Sequence, residues 1–147
     1  MTIRSPFVAS VVHQQLGIAL LRIVVGVVFL AHGYQKLFVY GLAGTTDAFG
    51  KMGVPMPGVM GPFIAFLELL GGLALIVGLL TRLAALGLAL NMLGAILMVH
   101  LAAGFFLPAG YEYALTLFAA CAALALAGPG TLAADAAIAG RGQGSLG

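Results

Sequence analysis

Charge is what this sequence has least of. Six Lys and Arg and four Asp and Glu among 147 residues leave it 7% charged and 63% hydrophobic. A soluble domain carries about a quarter charged residues to cover its surface, so this chain cannot fold as a water-soluble protein. Cysteine is nearly absent as well. The single Cys121 lies in an apolar run with no CxxC partner, which excludes a dithiol redox centre within the chain and any intrachain disulfide. No basic run exists that could grip nucleic acid, and a net charge of +2 says little about partners. Also lacking is an internal repeat of the kind that builds the inverted halves of a transporter.

What the chain has instead is apolar length. Four segments, 16–38, 57–80, 82–104 and 111–127, approach or exceed the ~20 apolar residues that cross a bilayer as a helix. They predict an all-α fold: a four-transmembrane-helix bundle over residues 16–128, with an N-terminal segment 1–15 before it and a C-terminal tail 129–147 after it, frayed from Arg141 onward. The first apolar stretch is too long for the roughly 7–15 residue core of a signal peptide, so no cleavage is expected. Thr81-Arg82 makes a tight hairpin of the second and third helices. Gly128-Pro-Gly stops the fourth. The one long extramembrane loop is the first, Val39 to Met56, where Thr45 to Met52 is expected to form a short interfacial helix, placed as a lid over one mouth. An even number of spans puts both termini on one side. Arg4, Arg82 and Arg141 share that side against Lys36 and Lys51 on the other, which favours cytoplasmic termini.

Glycines recur seven residues apart on three helices, as Gly26 and Gly33, Gly71 and Gly78, Gly87 and Gly94. Seven residues is close to two helical turns, so each pair cuts two notches in one face where another helix can approach. The same faces would serve a homo-oligomer.

The informative residues are the polar ones a bilayer should exclude: Arg22, His32, Gln35, Lys36, Glu68, Asn91, His100 and Glu112. Such groups usually face the bundle interior and mark a pathway, relay or ligand site. With 1.5 Å of rise per residue and alternating helix direction, Arg22, Asn91 and Glu68 fall about 9–18 Å from the terminal side, a mid-membrane layer. His32, Gln35, Lys36, His100 and Glu112 fall about 24–28 Å from it, a layer at the opposite mouth. His32, Gln35 and Lys36 share one helix face by their spacing.

Each has a structural reading beside the functional one. Arg22 and Glu68 suit an ion pair locking two helices. Lys36 suits snorkelling to the interface, and Asn91 an interhelical hydrogen bond. Two imidazoles and two carboxylates, His32, His100, Glu68 and Glu112, form the sharpest constellation, fit to bind a transition metal, to relay protons or to hydrogen-bond the carbonyls of a quinone-like ring, with a proton-linked polar pocket favoured over the metal. No HxxxH or ExxH spacing is present, and no metal is assigned.

These residues also carry a resemblance. Leu21-Arg22-Ile23, Gly26, Phe29, His32-Gly33 and Lys36-Leu37 resemble the opening helix of the DoxX family of small bacterial four-helix membrane proteins. Gly53-Val-Pro-Met-Pro, Glu68-Leu-Leu-Gly-Gly-Leu, Gly78-Leu-Leu-Thr-Arg-Leu-Ala-Ala, His100, Glu112-Tyr113 and Gly128-Pro-Gly continue it, so that it spans residues 16–135. The resemblance implies the bacterial inner membrane, a multi-pass topology, and a subunit of or partner to a membrane oxidoreductase system connected with oxidative stress. It implies a polar pocket for a quinone or other small redox ligand, and soluble or membrane redox partner proteins. On that reading His32 and Glu68 handle protons, Arg22 is their electrostatic partner, and Gln35, Lys36, Asn91, His100 and Glu112 contact the ligand. Two other readings use the same chain: a small transporter or permeation pathway along the polar stripe, and a scaffold that anchors soluble partners without chemistry.

Overall fold

A computed structural model describes residues 6–143, with side chains from 10 to 138. All regular structure in that range is helical. Helix α1 runs Pro6–Tyr34 and continues through a π-helical turn, Gln35–Val39; α2 is Gly41–Lys51, α3 Pro57–Val77 and α4 Thr81–Ala95. A second π-turn, Ile96–His100, and a 3-10 turn, Leu101–Ala103, extend α4; α5 is Glu112–Ala127 and α6 Ala134–Gln143. Among the described residues, three stretches are long and apolar enough to cross a membrane: Ser10–Val39, Pro57–Val77 and Thr81–Ala103. At 16 residues, α5 rises about 24 Å, short of the ~30 Å hydrocarbon core.

The packing follows from side-chain size. Gly26 and Gly33 on α1 face Gly72 and the Glu68–Leu69 backbone on α3, so closely that a β-carbon at Gly26 would stand 2.8 Å from the Gly72 carbonyl oxygen. Small residues let two helix backbones meet where lipid offers no hydrophobic drive for association. α1 packs mainly on α3, and α4 on α5. Val25, Phe29, Leu75, Leu88, Met92, Leu117 and Leu124 fill the space between these four helices. The outward faces carry exposed Leu20, Val24, Phe66, Leu70, Leu86 and Leu97, as a hydrocarbon solvent requires.

Two sequence expectations change at the edges. α1 begins about ten residues before Leu16, so the apolar start marks the membrane and not the helix. The tail is not featureless, because α6 reaches Gln143; Arg4, residues 144–147 and the side chain of Arg141 lie outside what is described. In the first loop α2 forms one turn earlier than expected, with Gly41 at φ 70° opening it. Glycine adopts this left-handed conformation without the steric cost that a β-carbon would add.

Candidate functional site

Glu68 is the centre of the bundle's polar chemistry. It is 4% exposed, yet both carboxylate oxygens have partners. Lys36 forms an ion pair with Oε2, and Asn91 Nδ2 donates to Oε1 at 3.0 Å. A carboxylate in this position can stay charged only if it is paired and hydrogen-bonded. Three helices supply the three groups, so the cluster forms only when α1, α3 and α4 are assembled.

Lys36 reaches inward because of the turn it sits in. Tyr40 N–H bonds back five residues to the Gln35 carbonyl, and the Lys36 carbonyl accepts the Thr45 hydroxyl of α2 at 2.8 Å. The π-turn thus ties α2 to α1 at the lysine. Snorkelling, the expected fate of Lys36, gives way to the pair with Glu68. The expected depth difference fails for a specific reason. Gly33 packs level with Glu68 and Leu69, whereas counting each helix from its apolar boundary sets those levels about 7 Å apart. α1 is shifted along α3 by that amount, which lowers Lys36 toward Glu68.

A cavity of about 310 Å³ opens beside this cluster, lined by His32, Lys36, Glu68, Asn91, His100 and Tyr113 among apolar neighbours. His32 and Tyr113 lie on one side, ring centroids 6.4 Å apart. His100 sits in the second π-turn, its Nδ1 2.9 Å from the Ala109 carbonyl oxygen. A carbonyl only accepts, so Nδ1 is the donor in this contact. Phe49 of α2 and Met52, the residue after that helix, also line the cavity. π-turns inside helices are uncommon and frequent at functional sites. Here both hold a polar residue of the cavity wall.

Arg22 does not belong to this cluster, and its expected pairing with Glu68 is corrected by the structure. It is fully buried at 0% exposure at the opposite end, where Nη2 donates to the Leu132 carbonyl at 2.8 Å. Its guanidinium occupies the space a β-carbon on Gly78 would need. Asp135 of α6 accepts the Leu80 and Thr81 backbone N–H groups at 2.8 and 2.9 Å, capping α4. Burial by itself would raise the Asp135 carboxyl, but those two N–H groups and the charge of Arg22 outweigh it and hold the carboxyl below its ordinary range. The same 7 Å register shift that brings Lys36 to Glu68 places Arg22 level with the α3–α4 turn.

Gln35 and Glu112 also stand apart. Neither lines the cavity. Glu112 Oε1 accepts the Leu107 N–H at 2.7 Å and fastens the connection between α4 and α5. The residue sequence reasoning missed is Tyr113, one position further on. A tyrosine at the start of an apolar helix reads as an interfacial anchor, and only the tertiary placement of α5 turns it to the cavity. Phe49 and Met52 carried no signal beyond their place in the loop.

The features described so far define a class: an all-helical membrane protein with a charged pocket enclosed by helices. Residues 17–101 match the DoxX family, and the chain belongs to it. The match holds every polar wall residue except Tyr113. The Bacillus subtilis protein named "Putative oxidoreductase CatD" is 39% identical over 121 residues, 82% of this chain and 86% of that one. "Inner membrane protein YqjF" of Escherichia coli is 40% identical over 73 residues, covering 50% of this chain and 53% of its own. An uncharacterised membrane protein of Mycobacterium tuberculosis is 36% identical over 83 residues, 56% of this chain and 50% of its own. No solved structure matches.

Proposed function

We propose that this protein is a four-span subunit of, or partner to, an oxidoreductase system in the bacterial inner membrane, with its termini in the cytoplasm, and that its cavity holds a quinone-like redox ligand. The observation that carries the reading is the buried Glu68 carboxylate, fixed by Lys36 and Asn91 at the wall of a cavity that also presents His32 and His100. A quinone taking up two electrons takes up two protons. His32 and Glu68 are the proton-handling groups at that wall, with Lys36, Asn91, His100 and Tyr113 as hydrogen-bonding contacts. The name of the Bacillus relative supports the redox setting. Cys121 is a lone buried thiol, so the electrons are supplied or taken by a redox partner protein. The test is to purify the protein in mild detergent and identify what co-purifies by native mass spectrometry and lipid extraction. A quinone in the wild type that is lost from Glu68→Ala and His32→Ala supports the proposal. An empty cavity with stoichiometric protein partners retained would replace it with the scaffold reading.

A further inference from the structure

The third glycine pair does not do what the first does. Gly26 and Gly33 are filled by the α3 backbone, but a β-carbon at Gly94 would meet nothing within 4 Å, and one at Gly87 would meet only the Leu67 side chain, at 3.3 Å. α3 and α4 are neighbours through a three-residue turn, yet they part along this face. The gap is a fissure of about 360 Å³ whose lining includes Phe63, Leu67, Leu90, Gly94 and Met98, with Asn91 its one polar side chain. Phe63, Leu90 and Met98 at its lips are exposed on the outer, lipid-facing surface. At its inner end the fissure shares Phe49, Met52, Ile64, Asn91, Ala95 and Val99 with the polar cavity.

An apolar cleft open to the bilayer and turning polar only at its inner end matches one kind of molecule: a compact hydrogen-bonding head with a hydrocarbon tail. The head fits beside Glu68 and the tail in the fissure, with Asn91 at the junction. Each part lies within the ~300–1,000 Å³ typical of small-molecule sites. We propose that the α3–α4 fissure is the tail subsite and the lateral entry route of an amphipathic, long-tailed ligand whose head occupies the cavity. This rests on the quinone-like reading of the cavity and specifies it: the ligand is a membrane-dissolved one that arrives sideways from the lipid.

Gly94→Leu tests it, because the space is open and leucine is a better helix former than glycine, so α4 is not weakened. Two probes share one head: menadione, which has no tail, and menaquinone-4, which has an isoprenoid tail. Binding is measured in detergent for the wild type, Gly94→Leu and Glu68→Ala. The expected result is wild-type preference for menaquinone-4 by about tenfold or more, loss of that preference in Gly94→Leu with menadione binding unchanged, and loss of both probes in Glu68→Ala. Equal menaquinone-4 binding by the wild type and Gly94→Leu would overturn the fissure assignment and leave the cavity reading standing. Binding of neither probe by the wild type would overturn both. A phospholipid retained by the wild type and lost from Gly94→Leu, without any preference between the probes, would assign the fissure to a structural lipid instead.

Discussion

Lys36 and Glu68 are unequal partners. The carboxylate lies deep between helices, while the lysine side chain is 19% exposed against 5% for the glutamate. Removing the lysine leaves the carboxylate at the cavity wall with Asn91 as its remaining partner, and breaking a buried pair in this way costs about 3–5 kcal/mol. Removing the carboxylate leaves a lysine that can swing toward the interface. Lys36→Met is therefore expected to lower thermal stability in detergent more than Glu68→Gln, and the double variant to recover most of the loss. Equal single-variant effects with simple additivity would contradict the pairing. At the other end, Gly78 has φ 75° and gives its side-chain space to Arg22. Gly78→Ala is expected to cost about 1–2 kcal/mol from the left-handed backbone and more from displacing the guanidinium, measured by the same melt. The polar residues were legible in the sequence because a bilayer makes them conspicuous. Their partners were not, since pairing depends on the sliding of one helix along another, which composition does not encode.

The helices report this contrast at larger size. α1, α3 and α4 were visible as apolar runs with breakers at their ends. α6 was not, because its Ala- and Gly-rich sequence has no apolar face. It docks by polar contacts: the carboxylate of Asp135 on the free N–H groups of α4, and the Asp135 N–H on the Gly78 carbonyl at 2.9 Å. The carboxyl titrates lower in the folded protein than in an unfolded chain, where aspartate sits near 3.9. Its contribution is therefore fully present above about pH 4 and disappears as pH falls through the lowered native value. The protection factors of the Leu80 and Thr81 amides, measured exchange set against the intrinsic rate at each pH, should fall over that acid window in the wild type and be low at all pH values in Asp135→Ala. A pH-independent protection in the wild type would show that the carboxylate is not the cap.

Taken as a whole, the bundle is two tight helix pairs, α1 with α3 and α4 with α5, joined by a hairpin that is closed at its turn and at the Glu68–Asn91 hydrogen bond and open on the face that holds the fissure. The tight seam and the open one should respond oppositely to added bulk. Gly33→Ala forces a β-carbon into the Glu68–Leu69 backbone and should both destabilise the protein and abolish ligand retention by moving Lys36 from Glu68. Gly94→Leu should leave the melting temperature unchanged or raised. The seven-residue glycine spacing was equally plain in both places. What decided its use was the partner: α3 offers Gly72 to α1, but Leu67 and Phe63 hold α4 off.

The two π-turns carry a consequence for how this chain tolerates change in length. Each makes room for one residue more than a regular helix would, at 35–39 and at 96–100. Deleting a single residue from either would let that turn close into a regular α-helical turn with the helix on both sides kept in phase, whereas one residue lost from an ordinary helical stretch turns everything beyond it by about 100°. Closure of the first would end the five-residue bond from the Tyr40 N–H to the Gln35 carbonyl and re-aim Lys36; closure of the second would re-aim His100. An in-frame loss of one codon in either turn is therefore expected to leave the helices in place and to change how the polar side chain is aimed, so each surplus residue belongs to the pocket more than to the scaffold.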